Sequence, residues 1–321
     1  MKIQLKLFAG LLFTIGLLSS CNESKPNGYW SDTAQEGTIR IACDECFQPV
    51  IDELIPVFEN CYKKDVEVIP IYTDEVHAME LLKKDSVRLV ITSRGFTEAE
   101  THFFDKERNT VARQYRFASD GLALVVNNSN PDTMITVVNV RRILSGEVKK
   151  WSDIYPNSKL GDILLVFDNT NSSTVRFAVD SVCLGKQIAN DNVMATKTNA
   201  EVIDFVKKTP NAIGVVGSTW LRNRDDSLNV SFDQSVRVMA VSNQSVARVA
   251  DSWKPYQAYL WTRDYPLIRP VYALVCDPAR ALSWGFSQFL LGQKAQIVIG
   301  QTSSLLPENV SINIRNMHVS D

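Results

Sequence analysis

Asp168-Asn169-Thr170-Asn171-Ser172-Ser173-Thr174-Val175-Arg176-Phe177 follows a short, branched apolar run over residues 163–167, the pattern of a buried strand. Beyond it, Val175, Ala178, Val179 and Val182 recur at helical spacing, which predicts a helix beginning at Ser173 or Thr174. Strand, polar turn and helix in that order aim free amides and the positive end of a helix dipole at one point. Three consecutive hydroxyls add neutral donors there, and the combination suits an oxyanion. Ser and Thr are also the ordinary helix caps, so the stretch needs support from the rest of the chain.

Outward from that unit, the pattern alternates between strands and helices. Residues 38–42 predict a strand, residues 44–48 a turn, and Val50, Ile51, Leu54, Ile55, Phe58, Cys61 and Tyr62 one face of a helix. Pro49 suits its first turn, whereas Pro56 predicts a kink or a break. Further strands are predicted over residues 66–72, 88–91, 122–126, 212–216, 236–241 and 271–275. Helices are expected over 137–144, 199–207 and 279–291, around Met79, Leu81 and Leu82, and near 295–299. This alternation implies an α/β fold with parallel strands and helices on both faces, and a ligand beyond the carboxyl ends of the strands. Three of those ends are Asp44–Phe47, Tyr72–Glu75 and Thr92–Gly95.

The 321 residues suggest about two domains, and 45% hydrophobic with 22% charged residues is an ordinary globular composition. Lys2 and Lys6 precede an apolar run over residues 7–18 that ends in Ser19-Ser20-Cys21. That reads as a secretory signal over residues 1–20, too short to span a bilayer comfortably. A cysteine directly after Leu-Ser-Ser resembles the bacterial lipoprotein box, which implies a lipid on Cys21. Residues 21–36 then read as a flexible tether, and residues 309–321 as a loosely attached tail. Removing residues 1–20 moves the formal charge from -2 to -4, which speaks against nucleic acid but not against small anions. Five cysteines remain: Cys43, Cys46, Cys61, Cys183 and Cys276. Cys43 and Cys46 have redox or metal spacing, and whether they are bridged stays open. With no second pair, no histidine cluster and acids between them, neither redox nor metal chemistry is expected.

Several segments together resemble the phosphate-binding lipoproteins of bacterial ABC importers. They are Leu144-Ser145-Gly146-Glu147-Val148-Lys149-Lys150-Trp151-Ser152-Asp153-Ile154, Asn211-Ala212-Ile213-Gly214-Val215-Val216-Gly217 and Tyr265-Pro266-Leu267-Ile268-Arg269-Pro270, with Ser93-Arg94 followed by Thr97-Glu98-Ala99-Glu100. The resemblance covers about residues 37–307. It implies a type II periplasmic binding-protein fold: two lobes, each with a central mixed sheet flanked by helices, joined by two hinge crossovers. Lobe 1 is expected over residues 37–122 plus 243–321 and lobe 2 over 123–242, with the hinge near 122–126 and 236–241.

The same resemblance places the phosphate site on Cys46, Phe47, Ser93, Arg94, Ser172, Ser173 and Thr174. Two positions depart from the family. An arginine common six residues before Thr174 is Asp168 here, and an aspartate common directly after Ser93 is Arg94. With the two charges exchanged, Arg94 is expected to offer its guanidinium fork to the ligand and Asp168 to pair with it. A carboxylate that accepts from a P–OH could be Asp44, Glu75 or Asp168.

The implied function is capture of inorganic phosphate by a monomeric, lipid-anchored protein on the periplasmic side, with delivery to ABC permease subunits in the cytoplasmic membrane. A phosphate or oxyanion sensor of the same fold is the alternative. No cofactor, metal or nucleic acid is expected. An enzyme is not expected either: no G-x-S-x-G elbow is present, and no histidine stands near a candidate serine.

Overall fold

The computed structural model describes residues 32–62, 65–189, 191–226 and 231–309. The expected signal segment, the expected lipidation site Cys21, the first part of the expected tether and the last twelve residues of the chain lie outside them.

The first half is built from three strand–helix units. β1 (Gly37–Asp44) passes through a 3-10 turn (Glu45–Phe47) into α1 (Gln48–Cys61). β2 (Val66–Thr73) leads to α2 (Glu75–Lys83), and β3 (Leu89–Thr92) to the short α3 (Glu98–His102). β1 pairs in parallel with both β2 and β3. Its side chains alternate: Ile39, Ile41 and Cys43 enter one core with Phe58 and Phe286, while Ala42 faces Met79, Leu82 and Val90 on the other side. Burial on both faces is what makes these strands read as near-continuous apolar runs.

β4 (Arg113–Val126) is a strand of 14 residues, of which only the last five stood out in the sequence. After it come β5 (Met134–Thr136), α4 (Val137–Leu144), β6 (Leu164–Phe167) and α5 (Ser173–Phe177), which a π turn over Ala178–Val182 prolongs. β7 (Val193–Ala195), α6 (Asn199–Lys208) and β8 (Ala212–Gly217) complete this half's sheet. β9 (Arg237–Val238) and β10 (Ala240–Ser242) carry the chain back, followed by α7 (Gln257–Trp261), β11 (Ile268–Val275), α8 (Leu282–Leu291), α9 (Gln293–Thr302) and β12 (Leu306–Pro307).

The sheet is mixed and continuous, in the order β2-β1-β3-β11-β4-β8-β6-β7. β6 is parallel to β7 and β8, but β11 is antiparallel to β3 and β4, and β4 to β8. The parallel alternation in the sequence is therefore interrupted at the centre, where one long strand serves both halves. Residues Arg113 to Gly121 of β4 pair with β11, and Leu122 to Val126 pair with β8. Leu122, Leu124, Leu165 and Phe167 fill one core of the second half, and Ala123, Val125, Val166 and Val202 the other.

Three expectations need correction. Of the kink or break expected at Pro56, the break does not occur: α1 runs through it from Gln48 to Cys61. The proline sits on the exposed face, so water can take the carbonyl that loses its amide donor. Residues 32–36, read as tether, begin docked: Asp32 Oδ1 and Oδ2 each accept from Arg88 Nη2 at 2.7 Å, and Leu282 N donates to Oδ2 at 2.8 Å. Asn309, read as tail, donates its amide to Gln296 Oε1 at 2.9 Å. The family-like segments hold the scaffold. Trp151 is buried and donates Nε1 to Asn211 O at 3.0 Å, and Tyr265 donates its hydroxyl to Leu122 O at 2.6 Å. A Cβ on Gly214 would lie 2.7 Å from Val202 Cγ1, so α6 seats directly on β8.

Asp32 and Arg88 are each 3% exposed, and breaking a buried pair by removing one partner is costly. Arg88 keeps Asp277 at 3.3 Å, so Asp32→Ala is expected to lower unfolding free energy by about 2 kcal/mol, the scale of charged hydrogen bonds lost, read from urea denaturation. A loss within the scatter of surface substitutions would show that residues 32–36 are not docked in solution.

Candidate functional site

Three strand ends of the first half and the polar turns of the second converge near the middle of the sheet. At the end of β1, Asp44 caps the 3-10 turn: its Oδ1 accepts from Cys46 N at 3.0 Å. Its other oxygen, Oδ2, is buried and accepts no hydrogen bond. Burial first, then the Glu75 charge, push the Asp44 carboxyl up to about 6, against the nearby Arg269 guanidinium. The Ser173 hydroxyl stands close enough to the carboxyl to oppose that rise as a weak donor, at a geometry poorer than that of a full hydrogen bond.

Cys46 and Phe47 are fully buried and meet the second half. Thr219 Oγ1 donates to Cys46 O at 2.6 Å, and Trp220 Nε1 to Glu45 O at 3.1 Å. Gly217 allows this approach, since a Cβ there would stand 3.1 Å from Cys46 O. Glu45 accepts from the Asn199 side chain and, at 3.2 Å, from the Asn199 amide. Burial outweighs those bonds, and Asp168 and Asp44 add to it, so the Glu45 carboxyl is pushed up to about 7.

Asp168, directly after β6, is 2% exposed. Its Oδ1 accepts from the hydroxyls of Ser172 (2.7 Å) and Thr174, and its Oδ2 from Asn199 Nδ2 (3.1 Å) and Cys46 Sγ (3.5 Å). Ser172 is also the cap of α5, where Val175 N donates to its hydroxyl at 3.4 Å. Ser173 turns the other way, and its hydroxyl accepts from Arg269 Nη1 at 2.9 Å.

Arg269 comes from β11, is 1% exposed and lies opposite Asp120 of β4 in the sheet register. Its Nε donates to Asp120 Oδ2 at 2.8 Å, and its guanidinium carbon stands 5.2 Å from the centre of the Phe47 ring. Nη2 is also 2.8 Å from Asp120 Oδ2, yet it makes no hydrogen bond, because that contact falls outside bonding angles. Nη2 of Arg269, in ion-pair contact with Asp120 and close to the Cys46 thiol, and Oδ2 of Asp44 are thus buried without a hydrogen bond at full geometry.

A second cluster adjoins the first. Glu75, the first residue of α2, accepts from Thr92 Oγ1 at 2.6 Å, from Arg94 Nε at 3.2 Å, and from Arg176 Nε and Nη2 across the two halves. Burial would raise Glu75, but the Arg176 charge, helped by Thr92 and Arg94, holds it below the usual range. Arg176 Nη2 also donates to Ser93 Oγ at 2.7 Å. Arg94 forks onto Glu100, with Nη1 to Oε2 at 2.7 Å and Nη2 to Oε1 at 2.9 Å. Despite partial burial, those bonds and the Thr97 amide hold Glu100 down at about 2.

Asp44, Cys46, Phe47, Asp168, Ser172, Ser173 and Thr174 therefore meet in one cluster, while Glu75, Ser93 and Arg94 form its neighbour. The expected Arg94–Asp168 ion pair is not made. Arg94 is held by Glu75 and Glu100, and Asp168 accepts from the neutral side chains of Ser172, Thr174, Asn199 and Cys46. Sequence reasoning missed Arg269, Asn199, Arg176 and Glu45. The signal for Arg269 was present in Tyr265-Pro266-Leu267-Ile268-Arg269-Pro270; Asn199 gives only the ordinary signal of a helix start. Among the described residues all five cysteines are free, Cys43 and Cys46 included, and none of their His, Cys, Asp and Glu side chains group in threes that could hold a metal ion. No described helix is long and apolar enough to cross a membrane.

The model of the PBP superfamily domain matches residues 31–294. The chain is 25% identical over 218 residues to the phosphate-binding protein PstS of Borreliella burgdorferi, covering 65% of this chain and 71% of the relative. It is 22% identical over 256 residues to the PstS of Staphylococcus saprophyticus, covering 79% and 75%. An ABC-type phosphate transport receptor from Vibrio cholerae shares its fold, with a TM-score of 0.61 at 21% identity over 84% of this chain and 99% of the other.

Asp44 and Glu45, both raised, bind protons more tightly in the folded than in the unfolded chain. Stability is therefore fullest below their ordinary range and falls as pH rises from about 4 through about 7. The lowered carboxyls, Glu75 and Glu100, act below that window, in the opposite sense. Asp44→Asn is expected to flatten the decline by roughly 3 kcal/mol, measured as unfolding free energy at several pH values. An unchanged slope would show that Asp44 is not buried as described.

Proposed function

The chain belongs to the PBP superfamily, and from that premise we propose that it captures inorganic phosphate where its two halves meet. The observation that carries this reading is the pair of unmet buried atoms, Asp44 Oδ2 and Arg269 Nη2. Leaving either unsatisfied costs free energy. A partly protonated tetrahedral oxyanion brings both complements: oxygens that accept from the guanidinium and a P–OH that donates to the carboxylate. Ser173, already bonded to Arg269, stands between them as a third contact.

Of the three carboxylates considered as acceptor, Asp44 has an oxygen left. Glu75 is engaged by Thr92, Arg94 and Arg176, and Asp168 by four donors. Cys46 and Phe47 shape the wall, and Phe47 carries the guanidinium on its ring face. Ser93, Arg94, Ser172 and Thr174 act around the ligand by fixing Glu75, Arg176 and Asp168. Closure moves the halves about residues 122–126 and 236–241, which fall on the shared strand β4 and on β9 and β10. In this reading the protein is exported, anchored by a lipid on Cys21, and releases phosphate to ABC permease subunits. Names of relatives support it: the two PstS proteins are phosphate-binding proteins.

Isothermal titration calorimetry with inorganic phosphate tests the proposal. Saturable binding well below about 1 mM is expected. Asp44→Asn keeps the cap oxygen but loses the second acceptor, and should weaken binding by about tenfold or more. The absence of heat with phosphate up to about 1 mM would refute the function.

A further inference from the structure

Asp168 lies at the centre of the polar cluster, not at its rim. Four side chains from three segments close on its two oxygens: Ser172 and Thr174 on Oδ1, Asn199 and Cys46 on Oδ2. Two donors on each oxygen fill the acceptor capacity that carboxylates ordinarily use. All four donors are neutral, so this anion is held by dipoles, in the manner of an oxyanion bound by fixed hydroxyls and amides.

The same hydroxyls are those that the sequence aims at a ligand. A second anion reaching them would meet the Asp168 charge at contact distance and find their hydrogens already directed elsewhere. Asp44 and Glu45 of the β1 turn stand near enough for Asp168 to raise them both, so its charge is felt across the cluster. The cation in this cluster, Arg269, reaches Ser173 instead.

We infer that Asp168 is a resident anion that occupies the Ser172 and Thr174 hydroxyls in place of a ligand oxygen and so holds the affinity for phosphate below what the assembled donors could give. This rests on the proposed function and adds a residue that sets its strength.

Asp168→Ala and Asp168→Asn, titrated with inorganic phosphate beside the unaltered chain, test it. Both are expected to bind about tenfold tighter or more, the scale of one like charge removed at partly buried separations. Formate in excess should weaken phosphate binding to Asp168→Ala, because it restores a carboxylate among the vacated donors, and should leave the unaltered chain unaffected. Circular dichroism identifies a variant that fails to fold, and the other variant then decides. If the unaltered chain binds phosphate while the folded variants bind no tighter and ignore formate, the inference falls and the proposed function stands. If none of the proteins binds phosphate, both fall.

Discussion

The ion pair of Arg269 with Asp120 governs the centre of the molecule. The two residues face each other across β11 and β4, at 1% and 0% exposure, where the strand shared by both halves passes from one pairing to the next. Two charges so deep in a protein need tight pairing and further hydrogen bonds to be tolerated. Asp120 obtains them from the Ser218 amide and hydroxyl, and Ser304 extends the chain by donating to Ser218. The guanidinium is thereby fixed in direction, with Nη1 toward Ser173 and one face over Phe47. Any geometry offered to a ligand is set by that orientation. Pro270 fits the same place: β11 pairs with β3 only from Tyr272 onward, so the missing amide hydrogen removes no bond to β3.

Around this pair the structure accommodates more acids than bases, and it does so in different ways. Glu75 is matched by two arginines and Glu100 by the fork of Arg94, and both stay ionised to low pH. Asp168 is surrounded by neutral donors. Asp44 and Glu45 have fewer compensating bonds, so desolvation dominates and their protons are retained toward neutral pH. An anion entering such a site meets at Glu45 a carboxyl that can be neutral, whereas Asp44, at about 6, is largely ionised at neutral pH and can accept from a P–OH. Net charge at the level of the whole chain could not have revealed this, because it depends on which acids share a donor.

Much of the architecture was legible because both faces of the sheet are buried. Residues 163–167, 212–216 and 271–275 stand out as apolar runs, and the helix after Ser172 follows from its cap and spacing. The first part of β4 was not legible. Arg113, Tyr115 and Arg116 there lie at the half-exposed start, and Asp120-Gly121 in its middle reads as a turn when seen alone. The pairing of Asp120 with Arg269, 149 positions apart, makes it a strand. For the site, the segments were legible and the partners were not. Arg94 and Asp168 were both singled out by charge, but which acid meets which arginine depends on reach across the sheet.

That difference decides between the two arginines as a source of hydrogen bonds. Arg94 places Nη1 and Nη2 on Glu100, which in turn accepts from the Thr97 amide while Thr97 accepts from the Glu100 amide. To turn Arg94 toward Asp44 and Asp168 would strip a mostly buried carboxylate of its fork and disturb the start of α3. Arg269 is equally constrained in position, yet it retains a nitrogen whose hydrogens meet no acceptor at bonding geometry. Under the proposed function a guanidinium can serve an oxyanion without moving only if it is rigid and incompletely satisfied. Arg269 meets both conditions, and Arg94 meets only the first.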